Sequence, residues 1–272
     1  VDESVVDIEL TLLLEAIYRK YHYDFRRYSR KTLLRRLTAL LTELGCSSLS
    51  CLQAQVLRDP GVFRCVLAAV TIHVSSMFRD PTFFRALREQ VVPVLATYPS
   101  LKVWVAGCST GEELYSTAIL LHEVGLLSRT LIYATDIDPR ALEAAEGGLY
   151  PLEHMAQFSE AYLASGGRGS LADYYTVGYG AARLDPSLRR GVVFADHSLA
   201  TDSVFAEVQL VACRNVLIYF EPDLQDRAIR LFRDSLCRRG FLCLGSAESL
   251  GSSTAEPDFT EVDRRERIYQ RR

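Results

Sequence analysis

The sequence has no surplus of basic charge. Its 31 Lys and Arg stand against 34 Asp and Glu, a formal net charge of −3 over 272 residues. That balance argues against a nucleic-acid binder, whose surface carries a basic excess. No stretch approaches the ~20 consecutive apolar residues of a bilayer span, so no membrane insertion is expected. The first fourteen residues carry acids where a signal peptide has a basic n-region. The seven cysteines are odd in number and include no Cys-x-x-Cys pair. This disfavours a disulfide framework and fits a reducing, cytoplasmic setting. The five histidines show no metal-ligand spacing such as His-x-x-x-His, so no metal is expected. At 49% hydrophobic and 24% charged, the composition is that of an ordinary globular protein. The length suits one large domain, or a medium one with a small companion.

The chain divides near residue 80. Residues 1–80 read as helical, with segments Glu9–Tyr18, Ser29–Leu44 and one starting at Ser50. Leu33, Leu37, Leu40, Leu41 and Leu44 share a helical face, and Gly45 stands where a C-cap glycine belongs. Asp59-Pro60-Gly61 is read as a helix break. Asp80 is read as an N-cap with Pro81 in the first turn, opening a helix that meets Pro93. From residue 81 to 272 strands and helices alternate: Lys102–Ala106, Glu112–Val124, Leu131–Thr135, a helix to Ala145, Val208–Cys213, Leu224–Leu236 and Phe241–Gly245. Such alternation predicts a parallel sheet with right-handed crossovers. Residues near 150–190, rich in Tyr and Gly, interrupt it. They read either as a small antiparallel insertion around Tyr174 to Leu184, or as a loop-rich cover.

Four segments carry candidate chemistry. The turn Gly107-Cys108-Ser109-Thr110-Gly111 follows the first strand and precedes a helix, where glycines let backbone approach a ligand. Its spacing is not that of the dinucleotide fingerprint and suits a nucleoside without pyrophosphate. Asp136 ends the second strand, 29 positions beyond Gly107. An acid there can accept hydrogen bonds from both ribose hydroxyls, or merely cap the next helix. Cys213-Arg214-Asn215-Val216-Leu217-Ile218-Tyr219-Phe220 lies at the carboxyl end of a central strand, where open α/β sheets place ligands. Arg79, within Ser75-Ser76-Met77-Phe78-Arg79-Asp80-Pro81, is either a surface arginine paired with Asp80 or a clamp for a carboxylate.

Taken in order, Met77–Pro81, Trp104–Glu113, Ala134–Asp138 and Cys213–Phe220 resemble the chemotaxis receptor methyltransferases, the CheR family, and the likeness runs over nearly the whole chain. The resemblance implies an S-adenosylmethionine-dependent methyltransferase (Rossmann-like) α/β domain, an N-terminal helical domain and a small antiparallel β insertion. It implies methyl transfer from S-adenosylmethionine, with S-adenosylhomocysteine as product, to glutamate carboxylates of a chemoreceptor-type signalling protein. Carried over by position, Ser75, Arg79, Gly107, Glu113, Asp136, Ser198, Leu199, Asn215 and Val216 would hold the cofactor. Arg79 and Tyr219 would face the transfer point. The sequence departs from the family pattern at His73, Ser75, Ser198 and Gln209, and none of these changes removes Arg79, Asp136, Asn215 or Tyr219. Some family members grip a short peptide tether with the β insertion; the shortness of Tyr174 to Leu188 looks more like the members that work without one. The basic run Arg26, Arg27, Arg30, Lys31, Arg35 and Arg36 either steers an acidic receptor helix or is a solvated face. Two rival readings stand beside this one. One is a methyltransferase acting on another substrate; the other is a cofactor-binding regulatory module with little turnover.

Overall fold

The computed structural model describes residues 4–71, 75–251 and 253–272; His73, singled out above, lies outside them. The chain opens with α1 (Val5–Tyr21), α2 (Arg30–Glu43), α3 (Leu49–Val56) and α4 (Pro60–Val70). Local chemistry sets their starts. Ser4 accepts from the Asp7 amide, Ser48 from Cys51, and Asp59 from Gly61 with Pro60 in the first turn. Asp59-Pro60-Gly61 therefore both ends one helix and begins the next. Gly45, just past α2, has φ +65°, the left-handed conformation glycine tolerates. The helices close on their own core, with Leu13 and Ile17 of α1, Leu37 of α2, Leu52 of α3 and Val66 of α4 around Phe25. Leu41 and Leu44 pack at its margin.

A helix then runs through α5 (Pro81–Ala86), a π turn at Leu87–Val91, and α6 (Val92–Leu95). Pro93 falls in the first turn of α6, where the π turn already interrupts the regular ladder. Asp80 does not cap α5 with its side chain: its φ is 58° and its carboxylate binds elsewhere. This corrects the expected cap, and the competing partner is an arginine described below.

The remaining elements are β1 (Leu101–Ala106), α7 (Glu112–Glu123), β2 (Thr130–Asp136), α8 (Pro139–Gly147), β3 (Leu149–Pro151), α9 (Met155–Ala164), β4 (Tyr175–Gly178), β5 (Ala181–Leu184), β6 (Val192–Asp196), β7 (Val208–Cys213), α10 (Pro222–Ser235), β8 (Leu236–Leu244), β9 (Phe259–Asp263) and β10 (Ile268–Arg271). Seven strands form one sheet in the order β6-β2-β1-β7-β8-β10-β9. The first five are parallel, as expected. β10 runs antiparallel to both β8 and β9, so the sheet is mixed rather than wholly parallel. The physical reason is the short link between β9 and β10, since a hairpin can only return antiparallel.

β1 is buried on both faces. Val103 and Val105 enter one apolar cluster, while Trp104 and Ala106 enter the other. That is why its sequence is a continuous apolar run. The chain leaves β1 for β2 on one side and returns through β7 on the other. This reversal of strand order opens a crevice at the carboxyl ends. A second, three-stranded antiparallel sheet, β3-β5-β4, covers residues 149–184. It matches the expected insertion and adds β3 to it.

Candidate functional site

The carboxyl ends of four parallel strands, β1, β2, β6 and β7, meet at one crevice. After β1, the amides of Gly107 and Cys108 both donate to the Thr135 carbonyl, at 2.8 and 2.9 Å. The next amide, Ser109, donates to Asp136 Oδ2 at 2.8 Å. The other carboxylate oxygen, Oδ1, accepts from the Asp138 amide at 3.0 Å. Asp136 is thus anchored to both the turn and the start of α8. The cap of that helix is Asp138, which accepts from Arg140.

Gly107 has φ +70°, and a Cβ there would sit 2.5 Å from Val216 Cγ2. The glycine therefore lets the turns after β1 and β7 close against each other. Gly107→Ala is expected to lower stability by about 1–3 kcal/mol. A thermal-unfolding midpoint equal to wild type would contradict that close fit.

After β7, Arg214 is the keystone. Its side chain is 1% exposed and donates to Asp80 Oδ2 at 2.7 Å and Glu113 Oε2 at 3.0 Å. It also donates to the Arg79 carbonyl at 3.3 Å and lies 4.0 Å from the Phe83 ring centroid. One buried guanidinium thereby draws the Arg79-Asp80 segment onto the sheet. Burial pushes the Glu113 carboxyl up from its ordinary pKa, and Arg214 pulls it back. Burial also pushes the Cys108 thiol up, with Asp136 adding to the effect. A thiol held protonated in this way is a poor nucleophile.

After β6, the His197 amide donates to the Asp136 carbonyl at 3.2 Å, and the Ser198 amide to Asp202 Oδ2 at 2.9 Å. His197 Nδ1 and Ser198 Oγ are buried without a hydrogen-bond partner.

The N-terminal helices close the far side. Tyr28 pairs with Phe220 through an isolated bridge, and the Ser29 amide donates to the Tyr219 carbonyl at 2.8 Å. Arg36 donates to the Val70 carbonyl and sits 5.1 Å from the Tyr219 ring centroid.

The crevice spans about 920 Å³ of space, the open solvent at its mouth included. Ser75, Arg79, Gly107 and Glu113 line it, as do Asp136, Leu199, Asn215, Val216 and Tyr219. Ser198 is not among the lining residues. Its chain neighbours His197 and Leu199 do line the crevice. Tyr28, His197 and Arg214 also line the crevice and were not among the expected site residues. Arg214 sits inside a segment already singled out, so its signal was present. For Tyr28, only its place between arginines and a helix start stood out. Among the described residues, no three His, Cys, Asp or Glu side chains converge as a metal site, and no helix is long and apolar enough to cross a membrane.

Comparison with known proteins gives this crevice a context. The all-alpha domain of CheR methyltransferase matches residues 8–71, and the S-adenosylmethionine-binding domain of CheR methyltransferase matches residues 73–266. A Pseudomonas putida protein named for a methyltransferase, Cher3, is 56% identical over 269 residues, 99% of this chain and 98% of its own. A chemotaxis protein methyltransferase of Vibrio cholerae is 32% identical, covering 83% of this chain and 84% of its own. One from Listeria innocua is 34% identical, covering 68% of each. The all-alpha match falls on the N-terminal helices and the S-adenosylmethionine-binding match on the part that carries the sheet and the crevice, and the chain belongs to the CheR methyltransferase family, enzymes that depend on S-adenosylmethionine.

Proposed function

We propose that the chain methylates glutamate side chains of a chemoreceptor-type signalling protein, in the cytoplasm and without a peptide tether. The observation that carries this reading is the placement of Arg79. Its backbone is fixed by Arg214, and its residue lines the same crevice as Tyr219. A planar guanidinium suits a carboxylate better than any other side chain does. The names of the relatives, chemotaxis protein methyltransferases, support the pathway.

The residues present fit an adenosyl ligand. An acid ends β2, and His197 on the wall and its neighbour Ser198 hold buried polar atoms, Nδ1 and Oγ, without protein partners. In this reading Asp136 accepts from the ribose hydroxyls. Ser75, Gly107, Glu113, Leu199, Asn215 and Val216 form the rest of the wall, and Ser198 joins His197 to Leu199. When bound, S-adenosylmethionine supplies an electrophilic methyl group. A glutamate is already ionised near neutrality, with a reference pKa of ~4.3, so no strong general base is needed. Arg79 orients the carboxylate and Tyr219 positions its reacting end, which supplies the alignment on which such a displacement depends. Charge is lost as anion and cation combine, so the apolar surface that Tyr28 and Phe220 add to the crevice wall favours the reaction.

The basic run supports docking over a narrower face than its six residues suggest. Arg26 pairs with Asp24 and Glu15, Arg27 with Asp223 and Arg30 with Asp7. Lys31 and Arg35 remain exposed on α2. They are placed to steer an acidic helix.

Labelled-methyl transfer to receptor fragments, with the modified residue identified, tests the whole reading. The expected product is a glutamate methyl ester that forms equally well on fragments lacking their terminal peptide. Cofactor binding without transfer to any fragment would favour a regulatory module instead.

A further inference from the structure

Glu248 lies in the turn after β8, 33 residues from Asn215. It is 5% exposed and is not among the residues that line the crevice. Its carboxylate nevertheless gathers three backbone amides, one from its own turn after β8 and two from the loop after β7. Gly245 and Asn215 donate to Oε2, at 2.6 and 3.0 Å, and Ile218 donates to Oε1 at 3.3 Å. Asn215 is held at φ +61°, a conformation few residues other than glycine adopt. Gly245 leaves room for this arrangement: a Cβ there would lie 2.8 Å from both the Asn215 nitrogen and Glu248 Oε2.

We propose that Glu248 is a positioning residue for the transfer site, a carboxylate clamp that sets the Asn215–Tyr219 loop as a wall of the cofactor crevice. The proposal rests on assigning that crevice to S-adenosylmethionine. The chemistry selects an ionised carboxylate. Both its oxygens accept and neither donates, whereas a glutamine turns an NH2 group against an amide N–H. Hydrogen bonds to a charged acceptor are also the stronger kind. Aspartate keeps the charge but is one methylene too short to reach all three amides.

The test compares wild type with Glu248→Gln, Glu248→Asp and Gly245→Ala. S-adenosylhomocysteine binding is read by calorimetry, and the amide proton signals of Asn215, Ile218 and Gly245 (where retained) by NMR. In wild type the Asn215 and Gly245 protons are expected downfield and slow to exchange. That measurement stands even if a variant fails to fold, and fast exchange there overturns the clamp. Glu248→Gln is expected to keep its unfolding midpoint within a few degrees, shift these amides upfield and weaken binding about tenfold. Glu248→Asp and Gly245→Ala should shift the same loop signals. Binding within twofold of wild type, with the amides shifted, overturns the proposal, and so do amides that stay in place. Failure of wild type to bind S-adenosylhomocysteine would sink the crevice assignment instead, and the amide signals would still report on the clamp.

Discussion

Replacing Arg79 with alanine is expected to lower methyl transfer by about 100- to 1000-fold, the usual loss when one preorganised donor is removed from a reaction site. The chain should still fold, because what ties this segment down is its own backbone carbonyl and the Asp80 carboxylate, both held by Arg214. Arg79→Lys should recover part of the rate and no more. An ammonium keeps the charge but loses the fork that meets both oxygens of a carboxylate. Steady-state assays on a folded, monodisperse variant decide the matter. Turnover near wild type would remove Arg79 from the transfer step.

Arg214→Met is the change expected to do most damage to the structure. It leaves Asp80 and Glu113 facing a buried thioether where they faced a cation. Breaking such a buried pair costs about 3–5 kcal/mol, which lowers the unfolding midpoint of a chain this size by roughly 6–20 °C. The loss should depend on pH. Burial already raises the Glu113 carboxyl above its ordinary value of 4.5, with Arg214 opposing the rise. Without the arginine, the folded pKa climbs further. A carboxyl whose folded pKa is raised favours folding below its unfolded pKa, and that advantage is lost as pH rises through the folded value. The deficit of Arg214→Met should therefore be smallest near pH 4.5 and grow toward neutrality. Adding Glu113→Gln should restore part of the stability at pH 7, because it removes the stranded charge. A deficit that is flat across this range would mean that packing against Phe83, rather than the ion pairs, carries the effect.

Much of this arrangement was legible in the residues themselves. β1 is buried on both faces, so its apolar run had no competing reading as a half-exposed strand. The helices of the N-terminal domain carried caps and a leucine stripe. The insertion announced itself by interrupting the alternation. What escaped did so for physical reasons. β6 is a half-buried edge strand, and β9 and β10 form a short hairpin whose sequence, Thr260 to Arg267, is mostly charged. The hairpin offers no apolar run and hence no period to detect, while the short run Val192-Val193-Phe194-Ala195 of β6 follows the irregular insertion directly and has no polar alternation to mark it as a strand. Asp80 looked like a cap because its neighbours fit one, but its partner Arg214 is 134 residues away, and local sequence carries no trace of that pairing. Tyr28 meets Phe220 through a backbone bridge, and the Glu248 carboxylate meets amides 33 and 30 residues away; neither leaves a local motif.

The proposed function stands on the strand-end crevice holding the adenosyl ligand with its sugar on Asp136 and its reacting end toward Arg79. Co-crystallisation with S-adenosylhomocysteine tests it most directly. Ligand density is expected between the turns after β1, β2 and β7, with both ribose hydroxyls in hydrogen-bond reach of the Asp136 carboxylate. A ligand whose sugar lies away from Asp136, or one bound outside this crevice, would contradict it.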